Sequence, residues 1–205
     1  MTIPMLTPRT LEDLIPGDVI RWLHVSQTMS FLSMTAGYVE ESASTYAAQY
    51  EEWRETIRTT APAHRPYPGM TDQDINLFLE PDLSFLTRDF PRFLRHSLVV
   101  TAYSALERHF DAVAAAAAKV QGIPLQYAKD RKSRLALALD FLKGAAIRVD
   151  IPEPLWSDVL ALGRLRNRIV HEDSGALDVA DCERVLTVVE RCLTALYDAS
   201  PQSHS

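Results

Sequence analysis

The sequence predicts an all-α protein, a four-helix bundle preceded by a long N-terminal helix. Apolar residues recur at spacings of three and four along five stretches of the chain. Glycine is scarce, 7 in 205 residues, while Ala and Leu dominate several segments. These residues lose little freedom on entering a helix, whereas glycine opposes it. No stretch alternates with the two-residue period of a half-buried strand. With 47% hydrophobic and 23% charged residues, the chain has the balance of one that folds around a core.

The first helical stretch runs from about Asp18 to Thr59. Its larger or apolar positions are Trp22, Val25, Met29, Leu32, Ala36, Val39, Ala43, Tyr46, Tyr50, Trp53 and Ile57. The strict three-four spacing makes a seam of about five heptads. Such a helix either pairs with a second chain or lies across its own bundle, and Gly37 allows a bend. Ala61 to Pro91 carries five of the 12 prolines, so it is expected to be broken into loops and short helices packed by their apolar residues. Within it, Thr71-Asp72-Gln73-Asp74 reads as a helix start. The organisation expected is therefore residues 1–90 as long helix and connector, 91–199 as the bundle, and 200–205 as a tail.

Four patterns make the bundle. Arg92 to Val120 presents Leu98, Ala102, Leu106, Phe110, Val113 and Ala117, and Gly122 and Pro124 stop it. Asp130 to Lys143 presents Leu135, Leu139 and Leu142. A third helix starts near Pro152 to Pro154 and ends near His171, with Leu155, Val159, Leu162, Leu165 and Ile169 as its stripe. The fourth, Val179 to Tyr197, presents Cys182, Val185, Leu186, Val189, Leu193 and Leu196. One apolar stripe per helix is what a four-helix bundle requires. The alanines from 114 to 118 suit a close helix–helix contact.

The net charge of −6 argues against a protein that grips nucleic acid over a broad surface, though not against an enzyme that touches a few phosphates. Cys182 and Cys192 are separated by about 15 Å of helix rise, too far for a disulfide, so they are expected as free, packed thiols. No secretory pattern and no membrane span is legible, so a cytoplasmic location is the expectation. No His, Cys, Asp or Glu spacing of metal-ligand type occurs, and no phosphate-binding glycine loop, so neither metal nor cofactor is expected.

On a helical wheel Arg166 falls in the middle of the third helix's apolar stripe. A guanidinium facing a core is unfavourable unless it is paired or lines a cavity. Asn167 and His171 lie one turn apart on the adjoining face, and Glu172-Asp173-Ser174-Gly175 ends the helix. Arg166 and His171 are about 140° apart on an ideal helix, at a helix end where a long side chain and an imidazole can converge. An arginine, an amide and a group that titrates near neutrality thus gather at one edge of an apolar bundle.

The run Arg166-Asn167-Arg168-Ile169-Val170-His171 resembles the Arg, polar, three residues, His signature of the HEPN superfamily. The layout of Arg92 to Ala199, with the motif ending the third helix, is similar to that superfamily's bundle, as is Ala105-Leu106-Glu107-Arg108-His109-Phe110 in the leading helix. The resemblance covers a little over half the chain. It implies a metal-independent endoribonuclease, with toxin or defence roles among the possibilities, acting on RNA as a homodimer and held by an antitoxin partner where it is a toxin. By that resemblance Arg166 holds the scissile phosphate, His171 moves the protons of the 2′-OH or the leaving oxygen, and Asn167 orients the imidazole or contacts the phosphate. In-line attack by a 2′-OH needs charge stabilisation and a group titrating near neutrality, and needs no metal.

Further candidates for RNA contact are Arg168 and the basic run Lys129, Arg131, Lys132 and Arg134, which reads equally as a solvated helix start. Glu107 is a candidate partner for Arg166 or His109. His109, on the flank of its stripe, reads as a satisfied core residue. The competing reading of the whole chain is a non-catalytic helical dimer that serves as an RNA-binding or protein-interaction module, with Arg166 and His171 in helix-end ion pairs.

Overall fold

The computed structural model describes residues 18–61, 64–65, 69–127, 133–145, 149–171 and 175–197. They form α1 (Asp18–Thr59), α2 (Asp72–Ser84), a π-helical turn (Phe85–Asp89), α3 (Phe90–Gln121), α4 (Arg134–Gly144), α5 (Glu153–His171) and α6 (Val179–Tyr197). There is no strand among the described residues. The protein is all-α, as its periodicity predicts.

The central element is α3, which packs against α1, α4, α5 and α6. All six positions of its predicted stripe are buried, and Ala114, Ala117 and Ala118 extend that face into a small-residue contact. Leu135, Leu139 and Leu142 of α4, Leu155, Val159 and Leu162 of α5, and Val185, Val189, Leu193 and Leu196 of α6 are buried as well. Gly122 closes α3 in the left-handed conformation (φ 65°), with its N–H donating to the Ala118 and Lys119 carbonyls.

Much of the α1 seam is consumed inside the chain. Leu32 joins the main core, with Val25, Met29 and Ala36 packed against it. Ile57 forms a smaller cluster with Ile75 and Leu79 of α2, against which Tyr50 packs. Trp22 lies outside the residues whose side chains are described. A bidentate ion pair fixes α1 on α3: Arg95 Nε and Nη2 donate to the two Glu40 carboxylate oxygens at 2.7 and 2.6 Å. The other side of α1 presents Phe31, Met34 and Tyr38 to solvent, and the former seam residues Tyr46 and Trp53 are half exposed.

His109 is a satisfied interior residue, as expected from its flank position. Its Nε2 lies 2.8 Å from the Thr28 hydroxyl of α1 and its Nδ1 2.8 Å from the Tyr197 hydroxyl of α6, so one imidazole ties three helices together.

The connector departs from expectation in two respects. Thr71 does start a helix, through a capping box in which Thr71 Oγ1 accepts from the Asp74 N–H and Asp74 Oδ2 accepts from the Thr71 N–H. Pro81 and Pro91, however, do not break the helical run. Pro81 sits inside α2 and costs it one ladder hydrogen bond. Pro91 lies in the first turn of α3, where a missing N–H is tolerated, directly after a π turn closed by Phe90 N–H donating to Phe85 O. The second departure is polar. Arg65 is 8% exposed and donates to the carbonyls of Arg58, Thr60 and Met70 and to Asp72 Oδ1, clasping the end of α1 to the start of α2.

Candidate active site

The predicted motif closes α5. Leu155, Val159 and Leu162 bury one face of that helix, while Leu165 and Ile169 are half buried beside them. Gly163 brings α5 close to α3: a Cβ there would stand 3.0 Å from the Tyr103 hydroxyl and 3.2 Å from the ring. One turn further on, Arg166 emerges between the buried stripe and solvent.

Arg166 is half buried, and its Nε is fully buried with no hydrogen-bond partner. Its Nη1 donates to Asn167 Oδ1 at 3.1 Å. A buried donor left unmet is costly by about 1–3 kcal/mol, which is why native cores seldom keep one without a reason. The charge acts on two side chains of α3. Burial pushes the Glu107 carboxyl up; Arg166 and Arg134 pull it back down while Asp111 pushes it higher. Burial and Glu107 raise the Tyr103 hydroxyl, opposed by a hydrogen bond with Ser133 and by Arg166. The cluster therefore joins α3, the start of α4 and α5 through one arginine, one carboxyl and one phenol.

His171 is the last residue of α5 and is exposed. Among the described residues no hydrogen bond or ion pair joins it to Arg166 or Asn167. The motif thus divides within one chain into an Arg166–Asn167 pair and a separate His171. The segment that follows is tied back to α3, with Arg95 Nη1 donating to Leu177 O at 3.1 Å and His96 Nε2 lying 3.3 Å from Gly175 O. Glu172, Asp173 and Ser174 lie outside the described residues.

Of the remaining basic candidates, Arg168 and Arg134 are among the described residues. Arg168 is exposed and lines a groove of about 730 Å³ between α5 and α6, where Arg184 pairs with Asp181. Arg134 donates from Nε to Asp111 Oδ2 at 2.6 Å and lies over the Tyr127 ring, whose hydroxyl donates to Asp111 Oδ1 at 2.6 Å. This ion pair anchors the start of α4 on α3 while the Arg134 side chain stays exposed. Lys129, Arg131 and Lys132 lie outside the described residues.

Tyr103 and Ser133 were not legible as site residues. Tyr103 sits beside stripe residue Ala102 and four residues before Glu107, so its only signal was that one-turn spacing on the flank of the stripe. Both cysteines are buried and free, and burial pushes the Cys182 thiol up to about 11 and the Cys192 thiol up to about 12. No described helix is long and apolar enough to cross a membrane. Comparison with known proteins gave no family model, no curated protein and no solved structure that matches the chain.

Proposed function

We propose that this protein is a metal-independent endoribonuclease of HEPN type, working as a homodimer and serving as a toxin or defence component. The observation that carries the reading is the unpartnered, buried Nε of Arg166, held at the rim of an apolar bundle beside Glu107 and Tyr103. A guanidinium in a partly desolvated wall suits the two non-bridging oxygens of a phosphodiester. His171, exposed at the helix end, is free to reach a bound chain, and its separation from Arg166 within one protomer suits a cleft completed by a second copy. The 2′-OH attacks the adjacent phosphorus as the P–O5′ bond breaks, giving a 2′,3′-cyclic phosphate and a free 5′-OH. His171 takes the 2′-OH proton or supplies one to the departing 5′-oxygen, and Arg166 balances the charge on the pentacoordinate phosphate. The apolar residues left exposed on α1 offer the second copy a surface, and an antitoxin protein is a further partner of this reading. The test is incubation of the pure protein with mixed RNA in EDTA, beside Arg166→Ala and His171→Ala. The products expected carry 2′,3′-cyclic phosphate or 3′-phosphate ends, and DNA is spared because it lacks the nucleophile.

The exposed α1 stripe also favours a second reading, a non-catalytic dimer that acts as an interaction module. It is the reading left if EDTA-treated protein binds RNA or a partner and cuts nothing.

A further inference from the structure

A cavity of about 420 Å³ opens between α3, α4 and α5, beside the Arg166–Asn167 pair. We infer that it is a nucleobase pocket that accepts one unpaired nucleotide next to the scissile phosphate, which makes single-stranded RNA the substrate of this site; the inference rests on the ribonuclease reading above.

Four features point this way. Asn167 lines the cavity while accepting a hydrogen bond from Arg166, so a phosphate held by that guanidinium delivers its neighbouring base to the opening. The walls are of mixed character. Leu139 and Trp156 supply apolar surface, with the Trp156 ring backed by Phe110 at 6.3 Å between centroids, and Asp140, Lys143 and Tyr103 bring polar character to the lining. A flat aromatic base with donors and acceptors on its edge is the part of RNA that such walls recognise. The volume lies near the low end for small-molecule sites, enough for one nucleotide and far too little for a helix. The fourth feature is Gly163. It lines the same cavity, and any side chain there would press on Tyr103 from 3.0 Å, so the glycine preserves both the opening and the placement of the hydroxyl. A base inside an A-form duplex stays stacked and paired and cannot enter such a recess.

The test uses uncleavable 2′-O-methyl RNA tetranucleotides of each of the four bases, titrated calorimetrically into the full chain. Wild type is expected to bind one base about tenfold more tightly than the weakest, a difference that one charged hydrogen bond supplies. Enclosing the preferred tetranucleotide within the stem of a long, stably paired 2′-O-methyl hairpin should abolish binding. Lys143→Ala, at an exposed position, and Gly163→Ala should each flatten the ranking of the four bases, whereas Arg166→Ala should weaken all four alike. Equal binding of the four bases, an unchanged ranking in both pocket variants, or equal binding of the hairpin overturns the inference. Because these strands cannot be cut, the two readings fail separately. Base-selective binding without cleavage of ordinary RNA keeps the pocket and removes the ribonuclease. Cleavage that ignores base and pairing keeps the ribonuclease and removes the pocket.

Discussion

A Cβ on Gly163 would stand 3.0 Å from the Tyr103 hydroxyl, while none of the other described glycines meets anything within 4 Å. This close approach sets the spacing of α3 and α5 beside Arg166. Gly163→Ala improves helix propensity by up to about 1 kcal/mol. Tyr103 is 5% exposed and has little room to yield, so the net result expected is a loss of about 1 kcal/mol. Tyr103→Phe removes the nearest atom and should recover part of that loss. A double-mutant cycle in urea reads the coupling; simple additivity would contradict it.

Glu107 makes a pH signature. Burial is the largest influence on its carboxyl and raises it; Arg166 opposes that, Asp111 adds to it and Arg134 opposes it. A carboxyl raised by folding binds its proton more tightly in the native state than in the unfolded one. The stability it contributes is therefore full below the unfolded value of about 4 and is lost as pH rises through the higher folded value. Glu107→Gln should be more stable than wild type at pH 7, with the gain fading as pH falls to about 4. Arg166→Ala removes the first opposing charge, so the same Glu107→Gln change should gain more in that background. Urea melts across this range, in both backgrounds, check the sign.

Arg65 should carry a large share of the connector's stability. Arg65→Ala leaves the carbonyls of Arg58, Thr60 and Met70 without this donor, a loss expected at about 1–3 kcal/mol. Arg65→Lys should recover only a minor part, since an ammonium does not span the same fork. The smaller α1–α2 cluster, read by proteolysis within residues 61–71, should loosen before the bundle does.

The thiols should be silent. With burial holding Cys182 at about 11 and Cys192 at about 12, neither forms an appreciable thiolate at pH 7 to 8. A disulfide reagent should label them only on unfolding, with two thiols released together in denaturant. Rapid labelling of the native protein would contradict the packing of α6.

Much of the fold was legible because each bundle stripe follows the helical period and spends nearly all its apolar residues on one core. All six positions from Leu98 to Ala117 are buried, and α1 and α6 keep their expected limits. The α1 seam was harder. Periodicity shows that one face is apolar but not which surface covers it, and Leu32 and Ile57 turn out to be covered by the same chain. Pro91 misled because a proline is harmless in a first turn, here one that follows a π turn, and Pro81 because α2 carries it in its interior at the loss of one ladder hydrogen bond; neither arrangement has a sequence period. At the site, the conflict between Arg166 and its stripe was visible as a charge in an apolar row. Its neighbours Tyr103 and Ser133 were not, because they come from α3 and the start of α4 and meet only through tertiary packing.

The central claim is that Arg166 and His171 are kept for chemistry rather than for folding. The most direct test is RNA cleavage in EDTA measured beside melting temperature on Arg166→Ala, Arg166→Lys and His171→Ala. Each alanine variant is expected to lose about 10²- to 10⁴-fold in cleavage rate, and Arg166→Lys most of it, because an ammonium lacks the planar two-point grip on phosphate. Melting should be nearly unchanged for His171→Ala, which is exposed, and for Arg166→Ala, where removal of an unmet buried donor is offset by loss of the charge that opposes the raised Glu107 carboxyl. Wild-type protein that cuts no RNA, together with variants that melt several degrees lower, would contradict the claim and leave the two residues as structural.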